Sequence, residues 1–297
     1  MSTFNGERFL QEQLDSLRAQ THADCDIFVR DDGSTDATLA LLRRDASAHG
    51  RMQVQAGANL GFVGSFFELL QMAGDGYDFY FFCDQDDVWL ADKVASAVAA
   101  LAPRQEAALY CSRTECVDAR LQPIGPSPDY PPAKIGWGNA LVQNIATGCT
   151  MALNAPARRL LLSGLPRHCL AHDWWAYLVV SAFGAVVFDA NSYIRYRQHG
   201  NNAIGMQQGG LRGQWARVQR FVRHLRRSGP GWLDQLAEFD RVHGHRLDAG
   251  RRGQVHLLLQ SRRRWLAALR VACMRFYWRM NPTDTRILRV LLALRLY

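Results

Sequence analysis

Tyr77-Asp78-Phe79-Tyr80-Phe81-Phe82-Cys83-Asp84-Gln85-Asp86-Asp87 is the stretch that decides the fold. The run from Tyr77 to Cys83 is nearly all apolar and stops abruptly at Asp84. Such a run suits a strand buried on both faces. Three carboxylates then fall within four residues. In open α/β sheets, ligands collect outside the carboxyl ends of strands. Carboxylates this close repel one another unless a cation neutralises them. Mg²⁺ and Mn²⁺ prefer oxygen ligands and bridge carboxylates to substrate phosphates. A helix-capping turn accounts for Asp87, since Asp is a favoured cap. It leaves Asp84 and Asp86 unexplained.

The sequence around that run alternates strands and helices. Ile27 to Val29 reads as a short strand ending in Asp31-Asp32-Gly33-Ser34-Thr35-Asp36. An acidic residue there can accept from a ribose hydroxyl or a base N–H; a turn with Ser34 or Thr35 as helix cap is the plainer reading. Thr35 to Ala48, Gly61 to Met72 and Leu90 to Leu101 have helical spacing, and Met52 to Gln55 reads as a strand. This alternation predicts an α/β fold, a mainly parallel sheet flanked by helices. Ala107 to Cys116, Thr147 to Leu153 and Ala185 to Phe188 read as further strands, and Asp173 to Ala182 as a helix. The prolines crowded between Pro123 and Pro132 predict a loop. Past Gly205, Leu211 to Arg227, Trp232 to Leu247 and Gln254 to Ala272 are helical in pattern. The organisation expected is a domain over 1–204 and a helical region over 205–297.

Charge follows the same division. Residues 1–204 carry 16 Lys+Arg against 22 Asp+Glu, and residues 205–297 carry 19 Arg against 5 acids. Arginine-rich helices with Trp and Leu suit an anionic membrane surface, with a solvated face and nucleic acid as rival readings; nucleic acid is the least expected partner. The longest apolar stretch, Trp174 to Phe188, is fifteen residues, short of the roughly 20 a spanning helix needs. The start shows no apolar signal segment. Seven cysteines without a C-x-x-C pair argue against a disulfide framework or structural zinc and fit a reducing compartment. Cys83 and Cys149 read as core.

Ser2-Thr3-Phe4-Asn5-Gly6, Asp31 to Asp36, Asn59-Leu60-Gly61 and Asp84 to Trp89 together resemble an inverting family 2 glycosyltransferase of the GT-A, Rossmann-like fold. Thr147-Gly148-Cys149-Thr150-Met151, His172-Asp173-Trp174-Trp175 and Tyr196-Arg197-Gln198-His199-Gly200-Asn201-Asn202 resemble its bacterial rhamnosyltransferase-like branch. The resemblance covers residues 1–205. It implies that Thr3 and Asn5 line the nucleotide pocket and that Asp32 binds base or ribose. Asp84 and Asp86 would be the D-x-D pair holding Mg²⁺ or Mn²⁺ and the nucleotide sugar, with His199 near the metal or diphosphate. Asp173 would be the catalytic base, where the family often has Glu-Asp and this chain has His172-Asp173. Asp173 as a helix cap and His199 as an ordinary loop histidine are the structural alternatives. Trp174 would stack on a sugar or base, or serve the core with Trp175. Domains of this type begin with a strand just ahead of Ser2, so most of that strand is expected to be missing.

The chemistry implied is metal-dependent sugar transfer with inversion. A cation stabilises the diphosphate leaving group, and Asp173 takes the acceptor proton. The favoured donor is dTDP-rhamnose. The acceptor would be a cell-surface polysaccharide or a lipid-linked saccharide, reached from the cytoplasmic face of the bacterial membrane. A nucleotidyltransferase, or an inactive membrane-bound scaffold, is the alternative. The first lacks its basic phosphate loop in Met1 to Gln20, and the second sits poorly with intact Asp84, Asp86 and Asp173.

Overall fold

The computed structural model describes residues 1–198 and 231–296. His199 and the helix expected over Leu211 to Arg227 lie outside the described residues.

Strands β1 (Ser2–Thr3), β2 (Ile27–Asp31) and β3 (Met52–Ala56) form a parallel sheet in that order. Although β1 has two residues, Met1 prolongs its pairing. The Met1 carbonyl accepts from Arg30 N at 3.0 Å, and its ammonium donates to Phe28 O at 2.5 Å. Met1 stands at a slot of about 430 Å³ lined also by Ile27, Phe28, Phe79 and Phe81. On the other side of β1, Ser2 N donates to Cys83 O at 3.2 Å. That bond joins β1 to the end of β4 (Phe79–Phe81), so the two acidic motifs leave the strands on either side of β1 at the same edge.

The second sheet has the order β4-β8-β6-β9-β5, from β5 (Val88–Trp89), β6 (Ala108–Val117), β8 (Ala152–Asn154) and β9 (Ala185–Arg197). Here β6 and β9 run parallel, whereas β4–β8, β6–β8 and β5–β9 are antiparallel. The structure is therefore parallel in its first half and mixed in its second. The proline stretch is not wholly loop: β7 (Pro123–Pro126) pairs with β6, at an edge, where proline's missing N–H is tolerated.

Helix α1 spans Leu10–Arg18, α2 Thr38–His49, α3 Gly61–Met72, α4 Lys93–Leu101, α5 Trp137–Ala140, α6 Ala155–Leu162 and α7 His172–Phe183. The C-terminal helices are α8 (Trp232–His243), α9 (Ala249–Ser261), α10 (Trp265–Cys273) and α11 (Pro282–Leu294). The single helix expected over Gln254 to Ala272 is two. Arg262, Arg263 and Arg264 break it and are all exposed, which spares three adjacent guanidiniums from packing in one turn. The C-terminal helices share the main core. Leu236, Phe239, Val255, Leu258, Tyr277 and Leu292 belong to the same buried cluster as Phe66, Leu109, Met151 and Trp175. Removing that much apolar surface from water is the main force holding the two regions together.

Candidate active site

A cavity of about 1000 Å³ opens at the strand ends. Its lining includes Ser2, Phe4 and Asp32 from the first sheet, Asp84, Gln85 and Asp86 from the turn after β4, and Asn144, Gly148, His172 and Asp173. Met280, Asn281, Pro282 and Asp284 close another side. These last four are anchored to the α5 region. Met280 N donates to Gln143 Oε1 at 2.7 Å, and Asn139 Nδ2 donates to Trp278 O at 3.1 Å. The basic third of the chain is therefore part of the cavity wall.

The acidic turn is held from several sides. The Gln85 amide clasps the Phe4 backbone, accepting from its N–H at 2.8 Å and donating to its carbonyl at 3.0 Å. Arg197, at the end of β9, is 1% exposed. Its side chain donates to Asp86 O at 2.8 Å, to Ala119 O at 2.8 Å and to Glu12 Oε2 at 2.6 Å. Its backbone N–H donates to Asp87 Oδ1 at 3.0 Å. Its guanidinium also lies 4.3 Å from the Phe9 ring centroid. The sequence reading assigns no role to Gln85 or Arg197. Arg197 owes its role to partners from three separate stretches of the chain, around residues 9–12, 86–87 and 119, which no local pattern joins.

Asp84, Asp86 and Asp173 meet in the cavity. Loss of hydration, then the Asp86 and Asp173 carboxylates, push the Asp84 carboxyl up to about 7. That mutual repulsion is the state a bound cation relieves. Asp87 lies beneath. It is fully buried and held well above the usual carboxylate range by burial and by its acidic neighbours. Carboxylate oxygens of Asp84 and Asp87 and the Cys149 Sγ lie within 4.8 Å of one another. This interior trio fits Mg²⁺ or Mn²⁺ poorly, because burial holds the Cys149 thiol protonated and hard cations choose oxygen. Asp84 and Asp86, which line the cavity, are the pair that fits.

Asp173 sits in the first turn of α7, 7% exposed. It accepts from Gly148 N at 3.1 Å and from Trp174 N at 2.6 Å. Burial lifts it to about 6 against these hydrogen bonds. The cap position itself is Ala171, which makes no side-chain cap bond, so Asp173 satisfies a first-turn N–H from inside the helix. A carboxyl near 6 is ionised at neutral pH yet basic enough to take a proton.

Three expected contacts are placed elsewhere. Thr3 and Asn5 are not on the cavity; their neighbours Ser2 and Phe4 are. Alternation along the chain sends Thr3 inward, where its hydroxyl donates to Asp31 Oδ1 at 3.0 Å. Asn5 Oδ1 accepts from Thr35 N at 2.8 Å and so braces the Asp31–Asp36 turn. Trp174 packs against the core and spends its indole N–H on Ala140 O at 2.8 Å. Asp32 does line the cavity. Its carboxylate is paired with the Arg30 guanidinium and accepts from Leu60 N at 2.8 Å.

Comparison with known proteins agrees with this architecture. The family described as "Glycosyl transferase family 2" matches residues 1–158. A dTDP-rhamnosyl transferase, RfbG of Shigella flexneri, is 26% identical over 221 residues, covering 69% of this chain and 73% of that protein. Among solved structures, S. aureus TarS 1-349 in complex with UDP-GlcNAc superposes with a TM-score of 0.57 at 14% identity, covering 99% of this chain and 86% of that one. GalNAc-T7 with UDP, GalNAc and Mn2+ superposes with a TM-score of 0.50 at 12% identity, covering 85% and 55%. The fold is that of the GT-A glycosyltransferases.

Proposed function

The chain belongs to glycosyl transferase family 2, and from that premise we propose a metal-dependent, inverting transfer of rhamnose from dTDP-rhamnose to a saccharide hydroxyl. One observation carries the reading. Six carboxylates line the cavity, those of Asp32, Asp84, Asp86, Asp129, Asp173 and Asp284, with no Lys or Arg among the described lining residues. A nucleoside diphosphate is repelled by such a surface unless a divalent cation comes with it. Asp84 and Asp86 would hold that cation, which supplies charge stabilisation for the departing diphosphate. Asp173, fixed by the Gly148 and Trp174 N–H groups, takes the proton of the attacking hydroxyl. No covalent sugar–enzyme bond is needed for inversion. Likeness to RfbG supports the donor, and Phe62, Phe66 and Ile145 give the cavity an apolar wall suited to a deoxysugar methyl.

Thermal stabilisation by nucleotide sugars tests this directly, because a ligand that binds only the folded state raises its melting temperature. With Mn²⁺ or Mg²⁺, dTDP-rhamnose is expected to raise the Tm by several degrees. EDTA or Asp86→Ala should abolish the shift. A shift with UDP-sugars but not dTDP-rhamnose would overturn the donor, and a shift unaffected by EDTA would overturn the metal.

The acceptor proposed is a cell-surface or lipid-linked saccharide, met at the inner face of the bacterial membrane. No helix among the described residues is long and apolar enough to cross a membrane. Support for a surface attachment comes from α10 and α11. Trp265, Leu266, Val290 and Leu294 are 59%, 75%, 55% and 61% exposed. Arg295 Nη2 donates to Arg262 O at 2.7 Å, which brings the C-terminal end of α11 to the arginine turn between α9 and α10. Vesicles containing phosphatidylglycerol should co-sediment the protein at low salt, and Trp265→Ser with Leu266→Ser should weaken this about 10-fold. Equal capture of both proteins would sink the attachment.

A further inference from the structure

His172 is the residue in the cavity wall that the transfer chemistry leaves unused. It is 5% exposed, and neither ring nitrogen has a hydrogen-bond partner. Its ring stacks on Phe66 at 4.0 Å between centroids and meets the edges of Phe82 at 5.0 Å and Phe62 at 6.1 Å. The residue lines the cavity beside Asp173. Gly148 faces it so closely that a Cβ there would lie 2.8 Å from Nε2. A buried polar group without a partner costs stability. Phenyl rings fill the slot better than an imidazole, so packing does not explain a histidine here.

We propose that His172 is a specificity-determining residue, whose imidazole hydrogen-bonds a ring hydroxyl of the transferred sugar while Phe62 and Phe66 hold the ring and meet the sugar's apolar side. The proposal rests on the sugar-transfer reading above and adds the group that recognises the sugar. Burial pushes the imidazole down to about 3, so at working pH the ring is neutral, with one donor and one acceptor nitrogen. A neutral group reads a hydroxyl without adding to the charge of the carboxylates around it. A half-turn about Cβ–Cγ exchanges the carbon and nitrogen edges within the same slot. Either edge can therefore be presented to a ligand without disturbing the three phenyl rings. Sites that hydrogen-bond a substrate hydroxyl reject the analogue lacking it, because the protein group is then left unpaired.

The test is a cycle between His172→Phe and dTDP-rhamnose analogues that each lack one ring hydroxyl. The phenylalanine fits an aromatic slot. It should leave calorimetric binding of dTDP unchanged within about 2-fold while lowering kcat/KM for dTDP-rhamnose about 10- to 100-fold. One deoxy analogue should cost the wild type a similar factor and cost the variant nothing further. If every analogue costs the variant as much as it costs the wild type, His172 touches no hydroxyl and the proposal fails. Should the phenylalanine variant not fold, His172→Gln enters the same cycle. Glutamine keeps a donor and an acceptor, so discrimination retained against that one deoxy analogue supports the contact, and a glutamine variant that discriminates against none of the analogues overturns it. Failure of the sugar-transfer reading looks different: the wild type would then transfer sugar from no nucleotide donor at all.

Discussion

Asp173→Asn is expected to lower kcat about 10²- to 10⁴-fold while leaving the fold intact. In the mechanism proposed above the carboxylate takes the acceptor proton, and an amide cannot. Stability should respond in the opposite sense. Burial raises the Asp173 carboxyl to about 6 in the folded protein, so the folded state disfavours its charge. That penalty is absent at acid pH and is fully present once pH exceeds about 6. Asparagine escapes it and keeps an oxygen for the Gly148 or Trp174 N–H. The variant's Tm at neutral pH should therefore lie within a few degrees of the wild type's or above it. The wild type's kcat/KM should fall as pH drops through about 6, because the base is then protonated. A variant that transfers sugar at the normal rate, or a pH profile without that acid limb, would remove Asp173 from the mechanism.

Arg197→Met should have the largest effect on stability, about 1–3 kcal/mol, because two partly buried backbone carbonyls lose their charged donor. The arginine is 1% exposed and ties Glu12, Ala119 and the Asp86 carbonyl together. Methionine fills much of the volume but takes the donor away from the Ala119 and Asp86 carbonyls, while Glu12, half exposed, turns to water. Lysine carries the charge yet lacks the planar fork that reaches three acceptors, so Arg197→Lys should recover only part of the loss. Denaturant titration measures the stability. Metal-dependent binding of dTDP-rhamnose, followed at a temperature where the variant is folded, reports whether the acidic turn has loosened. A methionine variant as stable as the wild type would show that this buried charge is not what fixes the turn.

The features readable from sequence were those with local causes. The apolar run before Asp84 and the boundaries of Gly61–Met72 follow from pattern alone. Asp84, Asp86, Asp32 and Asp173 do converge on one cavity. What could not be read needed partners distant in the chain. A strand of two residues is too short to show which way Thr3 and Ser2 face. Helix α7 is buried almost all round, so nothing in its spacing says that Trp174 turns to the core while His172 lines the cavity. Gln85 and Arg197 owe their roles to contacts 81 and 185 residues away in sequence. The C-terminal pattern predicted helices and an exposed basic face, but amphipathicity alone could not name the wall they complete.

That wall also sets a schedule for biosynthesis. The loops that anchor it pair Gln143 with Met280 and Asn139 with Trp278, separations of 137 and 139 residues. A ribosome-bound chain can assemble the first sheet and display Asp84 and Asp86 long before those partners exist. Its cavity stays open on one side until residues beyond 280 have left the exit tunnel. The apolar surface that the last helices cover is what chaperones would meet in the interval.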